Sequence, residues 1–377
     1  MSDREILAPS LGELRGRHSS KWRRFPADVL PMHVAEMDFQ IAEPIASRIA
    51  TMVRESDLGY LGPVPEVAES FEKFALSRWG WQIHPQRLRM ASDVGVATVE
   101  FLRANLKPGE RVIITSPVYS GFFEWLEELS IEPVDVPLAG EKYELDLAGI
   151  EREFQAGHRF LMICSPHNPL GRVFSRAELT ALAALARKYD AVVISDEIHA
   201  PLAFETFTPY LDCGEDAAAT GVCITSASKS WNLAGLKAAF LITQSPEMNA
   251  LVNKMPAATH WRTSIIGAFA MAEAYTNGAQ WLDATRATLD ENRRHALAEI
   301  ERLLPMVSSH LPEAGYLMWL DISRLGLTSA EILEKARVAF VPGPDMGGSR
   351  YANFARMNIG TSKELITEGL ERIQRAL

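Results

Sequence analysis

The sequence has few cysteines and no long hydrophobic run. Only three cysteines occur among 377 residues, Cys164, Cys213 and Cys223, and none forms a CxxC pair. This usage argues against a disulfide framework and a cysteine zinc site, and it is typical of a reducing compartment. No apolar stretch reaches the length of a membrane span, and residues 1–20 lack the apolar core of a signal peptide. We therefore expect a cytoplasmic protein without a membrane partner.

Positive charge is also scarce. Lys and Arg total 38 against 48 Asp and Glu, which leaves a net charge of -10. Such a chain repels a nucleic-acid backbone unless its basic residues cluster, and the nearest cluster, at 15–24, is short and interrupted. We therefore expect no nucleic-acid partner.

Short β-rich runs alternate with longer amphipathic runs from about residue 111 onward. This alternation is typical of a parallel sheet with helical crossovers. The predicted strands are 111–115, 132–136, 160–164, 191–195, 222–225 and 238–243. The predicted helices are 64–79, 97–106, 175–189, 281–304 and 363–377. The clearest of them is 175–189, because Ser175 and Glu178 have the spacing of a capping box.

The length and the change of pattern near Gly278 predict two domains of an α/β protein. Residues 46–277 are predicted to form the large domain, and 278–377 a smaller α+β domain. Residues 1–45 are predicted to be an N-terminal arm and part of the small domain, because they contain four prolines and no strong period.

Lys229 directly follows the predicted strand 222–225 and lies among small residues and Trp231. Open α/β sheets bind ligands at the carboxyl ends of their strands. A partly desolvated lysine there has a lowered pKa and can attack an aldehyde. A lone lysine is nevertheless most often a surface residue, so the neighbouring motifs must decide whether Lys229 is a nucleophile or a surface residue.

Asp196 follows the predicted strand 191–195 in a similar way. Taken alone, such an aspartate is most often a helix N-cap. With Glu197 and His199 it suggests a metal site, but no HExxH-type spacing supports one, and we predict no metal. The alternative is a carboxylate that keeps a heterocyclic nitrogen protonated, the partner that pyridoxal phosphate requires. Asp196 and Lys229 then belong to one hypothesis.

Two further segments carry candidate site residues. Prolines bracket Asn168 in segment 165–172, which fixes an irregular turn, and either X-Pro bond is a candidate for the cis form. Arg356 lies in an otherwise apolar run, where an inward-facing arginine needs an anion. Either a substrate carboxylate or an internal salt bridge supplies that anion.

Four motifs occur in the order found in a known superfamily. They are Asn-Pro-x-Gly at 168–171, Ser-Asp-Glu-Ile-His at 195–199, Ser-x-Ser-Lys at 226–229 and Arg-x-Asn at 356–358. The chain resembles, over nearly its whole length, the fold-type I pyridoxal-phosphate enzymes of aminotransferase class I/II. The segments PHNPLGR, SDEIHA, SKSWNLAGLK, LPMHVAEMDF and SPVYSGFF are most similar to the cystathionine β-lyase branch, the carbon–sulfur lyases of MalY and PatB type.

This resemblance implies a fold, a cofactor and an assembly. The large domain would contain a mainly parallel seven-stranded sheet between helices. The cofactor would be pyridoxal 5'-phosphate, and the protein would be a homodimer with shared active sites. Lys229 would carry the cofactor and remove the substrate α-proton, and Asp196 would pair with the pyridinium nitrogen. Asn168 would bind the ring's 3-oxygen, with His199 beside it, and Tyr119 would stack on the ring.

The resemblance also implies a phosphate site and a substrate site. The phosphate would contact Ser226, Lys237, the backbone amides of Gly95 and Val96, and Tyr60 of the neighbouring subunit, which is also a catalytic candidate. Arg356 would bind the substrate carboxylate in a pocket that Asn168 and His33 help to form. The sequence departs from the branch at His33, where tryptophan is common, and at Glu36, where aspartate is usual. Lys237 stands where aspartate aminotransferases have arginine.

The resemblance implies β-elimination of L-cystathionine or a related cysteine thioether to a thiol, pyruvate and ammonia, a reaction of amino-acid metabolism and methionine biosynthesis. An aminotransferase of broad or aromatic specificity is the first alternative, because both reactions begin with loss of the α-proton. A regulatory protein that binds the cofactor is the second alternative. The intact set of Lys229, Asp196, Asn168 and Arg356 favours an enzyme.

Overall fold

The structure is a computed structural model that describes residues 6–377. Residues 1–5, where the predicted arm begins, lie outside the described residues. The chain divides into two compact units. The terminal unit comprises 6–40, Asn168–Arg172 and Trp281–Leu377, and the central unit comprises Ile41–His167 and Val173–Gln280. No sequence pattern indicated that Asn168–Arg172 belongs with the terminal unit.

The helices and strands are numbered along the chain. The helices are α1 (Leu11–Arg15), α2 (Ser20–Arg23), α3 (Glu43–Arg54), α4 (Pro65–Trp79), α5 (Val94–Asn105), α6 (Gly121–Glu128), α7 (Leu147–Gln155), α8 (Arg176–Lys188), α9 (Glu215–Thr220), α10 (Pro246–Val252), α11 (Ala258–Trp261), α12 (Ile265–Asn277), α13 (Ala279–Leu303), α14 (Ser329–Glu331) and α15 (Lys363–Arg375). The strands are β1 (Leu30–Pro31), β2 (Leu88–Ala91), β3 (Val112–Ile114), β4 (Val134–Asp135), β5 (Phe160–Cys164), β6 (Val192–Asp196), β7 (Gly221–Thr225), β8 (Ala239–Ile242), β9 (Leu317–Asp321), β10 (Val338–Ala339), β11 (Val341–Pro342) and β12 (Phe354–Asn358). Among these described elements, none is a helix long and apolar enough to cross a membrane.

The central unit contains a seven-stranded sheet with the strand order β2-β8-β7-β6-β5-β3-β4. β8 is antiparallel to β7 and β2, and the other neighbouring pairs are parallel. The prediction of a mainly parallel seven-stranded sheet is therefore confirmed. The sequence prediction missed β2, because this short edge strand contains Arg89 and lacks an apolar run.

The middle strands of this sheet are buried along their whole length. Every residue of β5, β6 and β7 is buried, which explains their continuous apolar runs in the sequence. Helix α8 begins with the predicted capping box, in which the Ser175 hydroxyl accepts from the Glu178 amide and the Glu178 carboxylate accepts from the Ser175 amide. Rigid, buried elements therefore support the edge at which the site residues lie.

The carboxyl ends of β5, β6 and β7 meet at one edge of the sheet. Cys164 is opposite Asp196, and Asp196 is opposite Ile224, near the end of β7. The strand order also reverses here, because β4 and β5 lie on opposite sides of β3. In open α/β sheets such a reversal opens the crevice in which ligands bind.

The terminal unit has two small sheets. One is antiparallel with the order β11-β12-β9, and the other is the parallel pair of β1 and β10. Strand β1 comes from the N-terminal segment, whose Leu14 and Lys21 are buried. The described residues 6–40 therefore belong to the same compact unit as Trp281–Leu377. Buried apolar side chains such as Leu30, Met32 and Phe39, and the specific polar contacts described below, hold these residues in place.

Candidate active site

Asp196 is the last residue of β6, and its side chain is buried in the central unit. Its Oδ1 accepts a hydrogen bond from the Ile198 amide at 3.1 Å. Burial raises the pKa of Asp196 from 3.8 to about 7, and the positive charge of Lys229 opposes this rise. A buried carboxyl group of this kind is suited to a cationic partner, such as a protonated heterocyclic nitrogen.

Lys229 lies in the turn that follows β7 and is half-buried. The Trp231 amide donates to the Ala227 carbonyl at 3.0 Å, and the Leu233 amide donates to the Ser228 carbonyl at 2.8 Å. The fully buried Trp231 ring donates to the Gly278 carbonyl at 3.0 Å and so anchors the turn in the core. Parallel strands β6 and β7 thus place Asp196 and Lys229 at the same sheet edge, close enough to interact electrostatically.

A second buried carboxyl group, Glu197, follows Asp196. Its Oε1 accepts from the Ser195 hydroxyl at 2.9 Å and from the Tyr210 amide at 2.8 Å. Burial raises the pKa of Glu197 to about 7. These contacts give Glu197 a structural role that the sequence prediction missed.

Asp93 caps α5 at the predicted phosphate site. Its Oδ1 accepts from the Val96 amide at 2.7 Å, and its Oδ2 lies 3.0 Å from Nζ of Lys237. The structure therefore brings Lys237 and Val96 to the start of α5, which also contains Gly95. The Lys237 amine and the Val96 amide both already contact the Asp93 carboxylate. A phosphate bound at this place would therefore share these two donors with Asp93 or displace the Asp93 side chain. Asp93 was missed, although an aspartate just before a helix is a typical N-cap.

The Ser226 hydroxyl is engaged within its own turn. It donates to the Ala238 carbonyl at 2.6 Å and accepts from the Ser228 amide at 3.0 Å. The hydroxyl therefore joins the end of β7 to the start of β8. Its contact with a phosphate stays a prediction.

Tyr119 packs against Trp125, with ring centroids 5.8 Å apart and an interplanar angle of 74°. A Cβ at Gly121 would lie 2.4 Å from Cε1 of Tyr119, and a Cβ at Gly95 would lie 2.6 Å from Nε1 of Trp125. Glycine is therefore required at both positions for these rings to approach the backbone. The sequence prediction missed Trp125 and Gly121, although both belong to the segment around Tyr119.

Two other predicted cofactor residues belong to the central unit. His199 is buried, and its carbonyl accepts from the Leu202 amide at 2.9 Å in the short turn after β6. Tyr60 is 89% exposed in the loop between α3 and α4. The Gly62 carbonyl of this loop lies 2.9 Å from Nε2 of His260. The proposed roles of His199 and Tyr60 stay predictions.

Arg356, Asn168 and His33 lie together in the terminal unit, and all three are buried. Nη1 of Arg356 donates to Oδ1 of Asn168 at 3.0 Å, and Nη2 donates to the His33 carbonyl at 2.8 Å. The structure shows both Ser165-Pro166 and Asn168-Pro169 in the cis form, as the sequence suggested. A Cβ at Gly171 would lie 2.4 Å from Cβ of Pro312, which explains a glycine there.

Side chains hold the four consecutive carbonyl groups of segment 33–36. Arg356 binds the first, as described above, and the amide of Asn358 donates to the second and the fourth. The Tyr316 hydroxyl donates to the third at 3.0 Å, and Nζ of Lys21 lies 3.2 Å from the fourth. Arg356 and Asn358 can act together because alternate residues of β12 face the same side. The backbone beside Arg356 is therefore fixed. The sequence motif at 356–358 contains Asn358 but did not reveal this role, and the sequence prediction missed Tyr316 and Lys21.

Lys21 also makes a buried ion pair. Its Nζ lies 2.8 Å from Oδ2 of Asp38, and Nε1 of Trp22 donates to Oδ1 of Asp38 at 2.9 Å. Within residues 6–377, no group of three or more His, Cys, Asp and Glu side chains is arranged to hold a metal ion.

Comparison with known proteins points to one family. The family model "Aminotransferase class I and II" matches residues 49–373. The chain is 35% identical to cystathionine beta-lyase of Corynebacterium glutamicum, over 98% of this chain and 99% of that protein. It is 32% identical to cystathionine beta-lyase PatB of Bacillus subtilis, over 97% and 98% of the two chains. The crystal structure of cystalysin from Treponema denticola, which contains pyridoxal 5'-phosphate, superposes with a TM-score of 0.92 at 27% identity and covers 100% of this chain and 99% of its own.

Proposed function

Because the chain belongs to the aminotransferase class I and II family, we propose that it is a pyridoxal-phosphate-dependent carbon–sulfur β-lyase. The reaction splits L-cystathionine or a related cysteine thioether, with one water, into a thiol, pyruvate and ammonia. The observation that carries this proposal is the buried Asp196 beside the charge of Lys229 at the carboxyl edge of the central sheet.

The residues present fit the cofactor. Asp196 is a buried carboxyl group whose ionised form needs a cation, and the protonated ring nitrogen of pyridoxal phosphate is one. Lys229 would hold the cofactor through its amine, which is the group that combines with aldehydes. When bound, the cofactor supplies an electron sink for the charge left by loss of the substrate α-proton.

Asn168 is oriented for the role that the family resemblance assigns to it. Its Oδ1 accepts from Arg356, so the amide NH₂ is the group that donates to the ring's 3-oxygen. We further propose that His199, Tyr119, Ser226, Lys237 and the amides of Gly95 and Val96 contact the cofactor, on the strength of the motifs that carry them.

Arg356 and Lys229 are proposed to bind the substrate and to transfer its α-proton. Arg356 holds the substrate carboxylate, and its hydrogen bonds to Asn168 and to the His33 carbonyl fix the plane of its guanidinium group. Lys229 takes the α-proton from the substrate and later returns a proton. A good leaving group on the β-carbon favours elimination of the thiolate over amino transfer.

The purified holoenzyme tests this function. We expect the visible absorption band of lysine-bound pyridoxal phosphate, and we expect pyruvate and free thiol from L-cystathionine without any added 2-oxo acid. Lys229→Ala should lose both signals, whereas the matched control Lys254→Ala, at an exposed position, should keep both. Amino transfer to an added 2-oxo acid without thiol release would show an aminotransferase instead. A wild-type protein that binds no cofactor would contradict the whole proposal.

We also propose a homodimer in which Tyr60 contacts the partner's cofactor phosphate. Support comes from its 89% exposure and from the neighbouring Leu58, an apolar side chain that is half exposed. Mixing inactive Lys229→Ala and Tyr60→Ala proteins should restore part of the activity through hybrid dimers. No recovery despite measured subunit exchange would refute the shared site. A cytoplasmic location and a role in methionine biosynthesis complete the proposal. The former is supported by the three buried cysteines, which form no disulfide within residues 6–377.

A further inference from the structure

The His33 side chain is the least satisfied polar group of segment 33–36. The ring is 4% exposed and packs edge-to-face on Phe25, with centroids 4.9 Å apart. Among the described residues 6–377, neither ring nitrogen has a hydrogen-bond partner. Each unpaired buried polar atom costs about 1–3 kcal/mol, so two such atoms on one ring beside the proposed substrate-binding Arg356 require an explanation, and a ligand is one. The carbonyl groups of the same segment, by contrast, all have partners.

The surroundings of the ring define the chemistry of a partner. Burial lowers the pKa of His33 to about 4, and Arg24, Lys21 and Arg356 add to this effect. The ring is therefore neutral near pH 7, with one N–H donor and one acceptor nitrogen. Asp38 neutralises Lys21, so Arg24 and Arg356 are the two cations of this set that favour an oxygen with negative charge as the partner.

The position of His33 links the ring to the substrate. Its carbonyl accepts from Nη2 of Arg356, the group assigned above to the substrate carboxylate. Lys21 pairs with Asp38, and Arg356 donates to Asn168 and the His33 carbonyl in addition to the substrate carboxylate proposed above. The imidazole next to Arg356 has two ring nitrogens without a partner among the described residues, and these can bind a second group of the same substrate.

We propose that His33 is a specificity-determining residue whose ring donates a hydrogen bond to an oxygen acceptor on the leaving group of the thioether substrate. This inference rests on the proposed function. The preferred substrates are thus cysteine thioethers with an acidic leaving group. Purely apolar S-alkyl cysteines are poor substrates, because they leave the imidazole unpaired when they bind.

Two substrates of equal shape test the inference on the holoenzyme. S-(2-carboxyethyl)-L-cysteine carries a carboxylate where S-(3-methylbutyl)-L-cysteine carries an isopropyl group. We expect His33→Phe to lower the ratio of their kcat/KM values at least tenfold, which equals about 1.4 kcal/mol. His33→Gln, which keeps an N–H donor, should retain most of the ratio. The control His295→Phe should leave it unchanged, because His295 already pairs with Thr367 at 2.8 Å.

Several outcomes decide the matter. A ratio in His33→Phe within twofold of the wild-type ratio overturns the inference. If that variant does not fold, the wild-type protein labelled with ¹⁵N-histidine replaces it. The ring nitrogens of His33 must then shift when S-(2-carboxyethyl)-L-cysteine binds, and unchanged signals refute the inference. If the wild-type protein forms pyruvate from neither compound, the proposed elimination is wrong. The ratio of their dissociation constants, read from the visible spectrum of the holoenzyme, then still decides the role of His33.

Discussion

The burial of Asp196 makes a prediction about the protein without its cofactor. A rise of the pKa from 3.8 to about 7 means that the folded state holds a proton that the unfolded state releases. The stabilisation from this group is complete below pH 3.8 and is lost as the pH rises through 7. At 1.36 kcal/mol per pKa unit, the full loss is about 4 kcal/mol, of which about 3 kcal/mol falls between pH 5 and pH 8.

The substitution Asp196→Asn removes this titration and keeps the shape of the side chain. The difference in unfolding free energy between the Asp196→Asn and wild-type apoproteins should therefore rise by about 3 kcal/mol from pH 5 to pH 8, in favour of the variant. Urea unfolding at several pH values measures it. Glu197, whose pKa is also about 7, is present in both proteins, so most of its contribution cancels.

The control for this experiment is Asp190→Asn, because the Asp190 side chain is almost fully exposed. The difference in unfolding free energy between the Asp190→Asn and wild-type apoproteins should not change between pH 5 and pH 8. In the holoproteins the variant Asp196→Asn should instead be less stable than the wild type at pH 8, because it cannot make the ion pair that we propose between ionised Asp196 and the cofactor's ring nitrogen. If the difference in unfolding free energy between the Asp196→Asn and wild-type apoproteins does not change with pH, burial of Asp196 does not raise its pKa, and the argument is refuted.

Three other substitutions test the surroundings of the site. Arg356→Lys should lower kcat/KM at least tenfold without loss of bound cofactor. The reason is that a lysine cannot bind Asn168, the His33 carbonyl and a carboxylate at once. Steady-state kinetics measures kcat/KM, and the visible spectrum measures the bound cofactor. Gly121→Ala should weaken cofactor binding, since its Cβ would displace the Tyr119 ring, and equilibrium dialysis of pyridoxal phosphate measures the change. Lys21→Ala should destabilise the fold by about 3–5 kcal/mol in urea unfolding, because Asp38 is left buried and unpaired, whereas replacing both residues with apolar ones should recover much of this loss.

Local patterns made the central unit largely predictable. Strand β5 coincides with the predicted 160–164, and α8 lies within the predicted 175–189, because a buried apolar run and a capping box are local signals. Asp196 and Lys229 were found for a related reason, since polar residues that follow buried strands collect at one sheet edge.

The terminal unit was less predictable, because long-range contacts organise it. The Tyr316 hydroxyl reaches the Ala35 carbonyl over 281 residues of chain, and Asn358 reaches Val34 over 324 residues. A side chain that binds a distant carbonyl group leaves no period in the sequence and no fixed spacing. Such contacts also explain how residues 6–40 fold without an amphipathic pattern.

The side-chain hydrogen bonds to the carbonyl groups of segment 33–36 have a consequence for evolution and for enzyme engineering. Arg356, Asn358, Tyr316 and Lys21 bind carbonyl groups, which every amino acid has, so the path of the backbone does not depend on which side chains the segment carries. Positions 34 and 36, whose side chains are half-buried, can therefore be randomised together while the loop keeps its course. A small library at these two sites should change the range of accepted thioethers at little cost in folding yield.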